Sequence, residues 1–391
     1  MDRPEPIYLD YHSTTPCDPE VWDAMMPYFT EIFGNASSQE HAGGNRAKEA
    51  VEVARMQVAQ LIHAKPEEIV FTSSTTESNH ACILGAVMAY NDGSRNIISA
   101  GTEHASVLGP LGMLEGKGHS VTRLSVDDAG RIDLTELENA ITPKTVLITL
   151  MHGNNEIGTI HPIGEVAKIA EKHGILFHTD AAQTIGREPI DVGAMPIDMI
   201  SLSSHKIYGP KGVAAFYLRS KKPRIKLSPL MVGGGQERGV RPSTLNVPGI
   251  VGMGKAYQIA SDTFHETNAR TKKYRDDFQR QVLSALPDIR VHGYAQAKLS
   301  HNWSAHVSGI GRARDFLKLL PTLSLSTGSS CSSNALEPSH VLLNIGLSEQ
   351  QALSTFRFSF GKRLTEEEVS IAGRIFIEKV IDARKSGKYA D

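Results

Sequence analysis

The sequence has few cysteines, few aromatic residues and no excess charge of either sign. Only three cysteines occur among 391 residues, and they are widely separated, so the chain has no disulfide framework and no Cys-x-x-Cys metal pair. Lys and Arg total 41 against 43 for Asp and Glu, which predicts no basic surface for nucleic acid. We therefore expect no bound metal and no direct nucleic-acid partner.

Long apolar runs are also missing from the sequence. None approaches the roughly 18 consecutive apolar residues that a membrane span requires. The first six residues, Met-Asp-Arg-Pro-Glu-Pro, lack the apolar core of a secretory signal. Scattered cysteines without partners are typical of a reducing compartment. From these features we expect a cytoplasmic protein without a membrane partner.

The order of apolar patterns predicts the fold class. Helical and strand-like segments alternate from about residue 45 to residue 220, which predicts a mostly parallel central sheet flanked by helices. After the glycines at 233–235 the pattern changes, with one long helical stretch predicted from about residue 247 to residue 286 and short strands after it. We predict an α/β fold with a large domain, residues 16–262. A smaller α+β domain is predicted from residues 1–15 and 263–391.

A lysine directly after a predicted buried strand is the most informative residue. The apolar segment 199–202 is followed by two serines, a histidine and then Lys206. An amine held there, away from bulk water, is suited to forming a Schiff base. Asp180 ends another apolar run and is placed to pair with a pyridinium nitrogen. A lysine and an aspartate are the recurring protein contributions to a pyridoxal phosphate (PLP) site, so we predict that cofactor.

Three further segments carry polar residues after predicted strands. The hydroxyl-rich segment 72–78 leads into a helix and is suited to an anion site, although plain helix capping is the better explanation when the segment is taken alone. His104 and Asn155 follow two other strands, where ligands bind in open α/β sheets. A hydrogen-bonded histidine and an asparagine turn are the alternatives. The lysine downstream favours a phosphate site at residues 72–78.

Two residues in the C-terminal third are candidate functional groups. Cys331 lies in a serine- and glycine-rich segment without apolar periodicity, which predicts an exposed mobile loop and favours a nucleophile. Cys17 and Cys82 are interpreted as packing residues. Arg357 alternates with phenylalanines in a predicted strand and needs an anionic partner. That partner is a substrate carboxylate or a structural Asp or Glu, and the residues alone leave both open.

Together these motifs resemble the cysteine desulfurases, fold-type I PLP enzymes of the aminotransferase class V group. The resemblance extends through nearly the whole chain. The motifs that carry it lie, in order, at residues 8–11, 14–16, 33–35, 76–78, 102–104, 154–158, 178–183, 203–206, 233–239, 329–331 and 336–339.

The resemblance implies how the cofactor is held. Lys206 would form the Schiff base, Asp180 would pair with the pyridinium nitrogen, and Gln183 would contact the ring hydroxyl. His104 would stack on the ring and act as an acid or base. The phosphate would be held by four residues of this chain and one from the partner subunit of a homodimer, namely Thr75, Thr76, Ser203 and His205, with Thr244 from the partner.

The resemblance also implies the reaction. Asn155 and Arg357 would hold the carboxylate of L-cysteine, and Cys331 would attack its sulfur, leaving a persulfide and releasing alanine. The serine-rich loop resembles the branch of the family whose mobile cysteine loop delivers sulfur to acceptor proteins. The chain ends at residue 391, without the longer tail usual in housekeeping iron–sulfur members. Sulfur donation for tRNA thiolation or DNA phosphorothioate modification is therefore an alternative to cluster assembly.

Two other functions are weighed against a desulfurase. A PLP lyase that acts on selenocysteine or another amino acid needs no sulfur acceptor, so Cys331 argues against it. A catalytically silent scaffold needs none of the reactive residues, so Lys206, Asp180 and His104 argue against that hypothesis.

Overall fold

The computed structural model describes residues 5–90, 93–220, 225–328 and 337–386. Within these ranges the strands form three sheets of seven, four and two strands. The strands are β1 (Ile7–Tyr8), β2 (Ile69–Thr72), β3 (Asn96–Ala100), β4 (Ser120–Leu124), β5 (Thr145–Thr149), β6 (Leu176–Asp180), β7 (Met199–Ser203), β8 (Ala214–Leu218), β9 (Arg290–Val291), β10 (Asn302–His306), β11 (Leu323–Ser324), β12 (Ser326–Thr327) and β13 (Thr355–Ser359).

Helices fill nearly half of the remaining described chain. They are α1 (Pro19–Met25), α2 (Pro27–Thr30), α3 (Ala42–Leu61), α4 (Thr75–Ala89), α5 (Ala105–Gly116), α6 (Leu134–Asn139), α7 (Ile163–Lys172), α8 (Val247–Asp262), α9 (Phe264–Ala285), α10 (Ala313–Phe316), α11 (His340–Asn344), α12 (Glu349–Leu353) and α13 (Glu366–Ser386). Among the helices described, none has the length and apolarity needed to cross a bilayer.

The seven-stranded sheet is mostly parallel, as predicted. Its strand order is β2-β8-β7-β6-β5-β3-β4, and only β8 runs antiparallel to its neighbours. The two strands that flank β8, namely β2 and β7, consequently point the same way as the parallel set. The carboxyl ends of β2, β3, β5, β6 and β7 therefore meet at one edge of the sheet, where ligands bind in such folds.

Alternating strand residues face two separate apolar cores. Ile98 of β3 packs in a cluster with Val51 of α3 and Val166 of α7, whereas the adjacent Ile97 packs with Val107 of α5. Successive side chains of a strand point to opposite faces, so a sheet buried on both sides needs apolar residues at every position. This explains why the central strands appear in the sequence as continuous apolar runs.

The N-terminal segment packs with the C-terminal third of the chain. β1 pairs in parallel with β11, and Leu9 belongs to the same apolar cluster as Phe278 and Phe376. The predicted long helical stretch from 247 to 286 is two helices, α8 and α9, because the helical conformation is interrupted at Thr263. The proposed domain bounds, 16–262 against 1–15 and 263–391, remain a prediction.

Candidate active site

A cavity of about 470 Å³ lies at the carboxyl ends of the parallel strands. Ten of the residues predicted from the sequence line it, namely Thr75, Thr76, His104, Asn155, Asp180, Gln183, Ser203, His205, Lys206 and Arg357. Thr244 is exposed and is not among the lining residues. Cys331 lies outside the described residues. The fold thus brings together side chains from segments that are far apart in the sequence.

Lys206 extends into the cavity from the turn that follows β7. Its Nζ donates to the main-chain oxygen of Ser13 at 2.8 Å and also to that of His12. Both acceptors belong to the N-terminal segment, which crosses the open end of the sheet. The amine is therefore held by two carbonyl groups at a defined position in the cavity rather than extended into solvent.

Asp180 is the last residue of β6 and is almost fully buried. Its Oδ1 accepts the N–H of Ala182 at 2.9 Å, and its Oδ2 accepts an N–H of Asn79 at 2.7 Å. Burial raises the pKa of the nearby Glu103 carboxyl well above its ordinary value, and the charge of Asp180 adds to this, against the opposing N–H of Met151. Burial thus favours the neutral form of Glu103.

His12 fixes the orientation of Gln183. Asn302 Nδ2 donates to His12 Nε2 at 3.2 Å, so the ring proton is on Nδ1, which donates to Gln183 Oε1 at 2.8 Å. Burial lowers the pKa of His12 well below its ordinary value, and the charge of Arg357 lowers it further, so the ring is neutral. The amide nitrogen of Gln183, which lines the cavity, donates to the main-chain oxygen of His12 and has a second hydrogen to donate.

One end of the cavity is suited to a phosphate group. Thr75 and Thr76 begin α4, whose N-terminal N–H groups attract an anion. The buried hydroxyl of Ser203 has no hydrogen-bond partner among the described residues. Burial, then the charges of Lys206 and Lys211, lower the pKa of His205 to about 4. A phosphate would provide an acceptor for the Ser203 hydroxyl and for the N–H groups at the start of α4.

Arg357 lies on β13 and is fully buried at the wall of the cavity. Its Nη2 donates to Asp10 Oδ1 at 2.8 Å and to Ser13 Oγ at 3.0 Å, and its Nη1 donates to the main-chain oxygen of Asn155 at 2.9 Å. Of the two partners that the sequence left open for Arg357, the structural acid is present, and it is Asp10. Arg357 Nε has no hydrogen-bond partner among the described residues.

Sequence reasoning missed four residues that support this site. His12, Asp10, Asn79 and Ser106 each contact a predicted site residue. Asn79 had a usable signal, because it follows Thr75 by four positions on a helix and so shares its face. His12 had none, since its partner Gln183 lies 171 residues away.

The donor set fits PLP in each of its parts. Lys206 supplies an amine, Asp180 a carboxylate for the ring nitrogen, and Gln183 an amide N–H for the ring hydroxyl. The cradle at the start of α4 matches the phosphate, and the cavity is large enough for a cofactor with its substrate.

Comparisons with known proteins agree with this geometry. The family model described as Aminotransferase class-V matches residues 7–371. The chain is 45% identical over 383 residues to "Cysteine desulfurase IscS" of Anaeromyxobacter dehalogenans (strain 2CP-C), covering 97% of this chain and 94% of that protein.

Solved structures give the same result. A NifS-like protein superposes with a TM-score of 0.89 at 33% identity, covering 96% of this chain and 99% of the other. The structure "SspA in complex with cysteine" superposes with a TM-score of 0.80 at 36% identity, covering 91% and 99%. Because both the family model and the relatives span nearly its full length, the chain belongs to the aminotransferase class-V family and is a PLP-dependent cysteine desulfurase.

Proposed function

We propose that this cavity is where the chain takes sulfur from L-cysteine and that Cys331 receives the sulfur as a persulfide. The observation that carries the proposal is the convergence of Lys206, Asp180, His104 and Arg357 on one cavity from four separate segments. When bound, PLP supplies an electron-withdrawing ring that weakens the bonds around the α-carbon of the amino acid attached to it.

Three residues would hold the cofactor ring in this scheme. Lys206 supplies the attachment amine, positioned by the carbonyl groups of His12 and Ser13. Asp180, whose carboxylate lines the cavity, would hold the protonated ring nitrogen, because an opposite charge nearby favours the charged form. Gln183 donates to the ring hydroxyl, since His12 already occupies its carbonyl oxygen.

Arg357 and Asn155 would orient the substrate. The Arg357 side chain lines the cavity, its Nε has no hydrogen-bond partner among the described residues, and a guanidinium binds a carboxylate well. Its pairing with Asp10 holds the guanidinium plane before substrate arrives. The Asn155 side chain lines the same wall and donates to the same carboxylate.

Cys331 would carry out the sulfur transfer. Its thiolate attacks the substrate sulfur, so a sulfur–sulfur bond forms while the bond from that sulfur to the β-carbon breaks. The electron pair of the broken bond stays with the carbon, which takes up a proton, and alanine leaves. A protein acceptor then takes the outer sulfur from Cys331, in the cytoplasm.

The flanks of the segment that contains Cys331 support this role. Ser339 Oγ donates to Glu156 Oε2 at 2.5 Å, and the position of a Cβ on Gly328 lies 3.7 Å from the same oxygen. Both flanks therefore meet at Glu156, the residue next to Asn155, which lines the cavity.

We also propose that the protein is a homodimer in which Thr244 reaches the partner's phosphate site. Thr244 is exposed, and three residues before it Arg241 is held by Glu77, with Nε to Oε1 at 2.6 Å. Large apolar side chains are also exposed, including Phe33 at 77% and Val232 at 96%. Sedimentation equilibrium tests this proposal, and a particle of 42.5 kDa would contradict it.

The test of the function compares two cysteine substitutions. Cys331→Ala should keep the visible absorbance of bound PLP and lower alanine formation from L-cysteine by about a hundredfold, because the sulfur acceptor is missing. Cys17→Ala, which removes the half-buried thiol outside the cavity, should leave both unchanged. Alanine formed at the normal rate by Cys331→Ala would indicate a lyase without sulfur transfer. A wild-type protein that binds no PLP would support the alternative hypothesis of a catalytically silent scaffold.

A further inference from the structure

Two buried side chains connect Asp180 to His104. Asn79 lies on α4 and is fully buried, and its Nδ2 donates to Asp180 Oδ2 at 2.7 Å and to Ser106 Oγ at 2.8 Å. Ser106 Oγ in turn lies 2.8 Å from His104 Nδ1. A continuous path of hydrogen bonds therefore runs from the carboxylate to the imidazole, behind the wall of the cavity.

The carboxylate determines how Asn79 is oriented. An ionised Asp180 only accepts hydrogen bonds, so the amide nitrogen of Asn79 must face it, and the reverse orientation would place two oxygens together. The amide nitrogen has two hydrogens, and its two contacts at Asp180 and Ser106 use both. Ser106 Oγ consequently accepts from Asn79 and has its own hydrogen left to donate.

The direction of the remaining bonds defines the protonation of His104. The backbone N–H of Ser106 donates to His104 Nδ1 at 3.1 Å, as part of the cap that begins α5. The Ser106 hydroxyl faces the same nitrogen and directs its free hydrogen there. Two donors on Nδ1 require a lone pair at that atom, so the neutral ring carries its proton on Nε2.

We propose that Asn79 and Ser106 are positioning residues that keep His104 neutral, with its proton on Nε2, whenever Asp180 is ionised. The proposal rests on the proposed function, in which His104 lines the cavity where L-cysteine reacts. In this state His104 serves as a hydrogen-bond donor. Nε2 carries the proton and Nδ1 faces two donors, so His104 enters the reaction as an acid before it can act as a base. The helix N-terminus adds to this, since it opposes positive charge on its capping residue.

Nitrogen NMR of the full-length protein tests the proposal directly. With 15N-labelled histidine, His104 is assigned by its loss in His104→Gln, and the spectrum is recorded at pH 7 with and without PLP. We expect the pattern of a neutral ring with a protonated Nε2 and a hydrogen-bonded, unprotonated Nδ1. A proton on Nδ1, or a charged ring, would overturn the proposal.

Matched variants separate positioning from general structural damage. Ser106→Ala should move the Nδ1 resonance towards that of an unbonded nitrogen and lower kcat about tenfold with little change in KM. Ser106→Thr, which retains the hydroxyl, should restore both. Ser99→Ala removes another buried hydroxyl, one without a partner among the described residues, and should change neither.

Asn79→Ala provides a second route to the same result. Without the amide, Ser106 is free to turn, so the Nδ1 resonance should move in the same direction as in Ser106→Ala. An unchanged resonance in both variants would refute the link. The spectrum of the PLP-free protein requires no turnover, so an inactive wild-type enzyme would contradict the proposed function and leave this measurement interpretable.

Discussion

Arg357 shows how one buried residue serves two partners. A guanidinium in the interior is unfavourable without a negative partner, and Asp10 supplies one at 2.8 Å. The Arg357 side chain nevertheless lines the cavity, and its Nε has no hydrogen-bond partner among the described residues. Lysine retains the charge but lacks the planar fork that holds a carboxylate with two parallel bonds.

Arg357→Lys should therefore raise KM for L-cysteine about tenfold or more while the protein still binds PLP. Steady-state kinetics and the visible absorbance measure the two effects. Arg363→Lys is the control, because Arg363 is exposed and outside the cavity lining. An unchanged KM in Arg357→Lys would show that Arg357 pairs with Asp10 and does not bind the substrate.

At the outer edge of β2, side chains provide the hydrogen bonds that a neighbouring strand would otherwise provide. β2 pairs only with β8, so its other edge needs partners for its backbone groups. Glu237 Oε2 accepts the N–H of Phe71 at 2.8 Å, and Arg55 Nη1 donates to the oxygen of Ile69 at 2.9 Å. Arg55 and Glu237 also form a buried bidentate pair, which closes the edge.

Glu237→Gln should destabilise the protein by about 3 kcal/mol, because it removes the charge that compensates buried Arg55. Denaturant unfolding measures the change. Glu115→Gln is the matched control, since Glu115 forms a similar bidentate pair with Arg123 at the surface, and it should cost at most about 1 kcal/mol. Equal losses in the two variants would show that the edge does not depend on this pair.

At the scale of the whole molecule, buried histidines make stability depend on pH. Burial is the largest cause in each of seven histidines whose pKa is lowered, namely His12, His152, His161, His178, His205, His292 and His301. Two buried acids act in the opposite direction, because burial raises the pKa of Glu188 to about 7 and that of Glu103 well above its ordinary value.

The stability of the protein should therefore fall as the pH decreases from about 6.5 to 4.5. In this range the unfolded chain takes up protons on histidines that stay neutral in the folded state, so unfolding is favoured. Glu103 and Glu188 bind protons in the folded state and so oppose the fall in stability. The effect of the seven histidines is larger than that of the two acids. Denaturant midpoints at several pH values measure the slope, and a constant midpoint would contradict it.

His161→Leu tests the origin of this slope. Neither ring nitrogen of His161 has a hydrogen-bond partner among the described residues, so leucine removes a titrating group without leaving a donor or acceptor unpaired. The midpoint should vary less with pH than in the wild type. His265→Leu, at an exposed position, is the control and should leave the slope unchanged.

Local patterns predicted the elements well and their ends less well. The apolar runs before Asp180 and Lys206 are strands, because parallel strands buried on both faces have little choice of residue. The break at Thr263 was missed, since its neighbours continue the helical pattern on both sides. The resemblance supplied the roles of Gln183 and Arg357, which no periodicity indicates.

The sequence by itself determined the α/β class and the strand ends that carry polar residues, and the family resemblance completed the set of ten predicted residues that line the cavity. The class and the strand ends follow from local regularities, because a strand buried on both faces and the start of a helix each have a recognisable pattern within a few residues. Only the tertiary structure decided which distant groups meet. Asp10 and Arg357 are 347 residues apart, and Asn79 and Asp180 are 101 apart. Those contacts depend on the order and register of strands in the sheets, which the local pattern of a single strand does not specify.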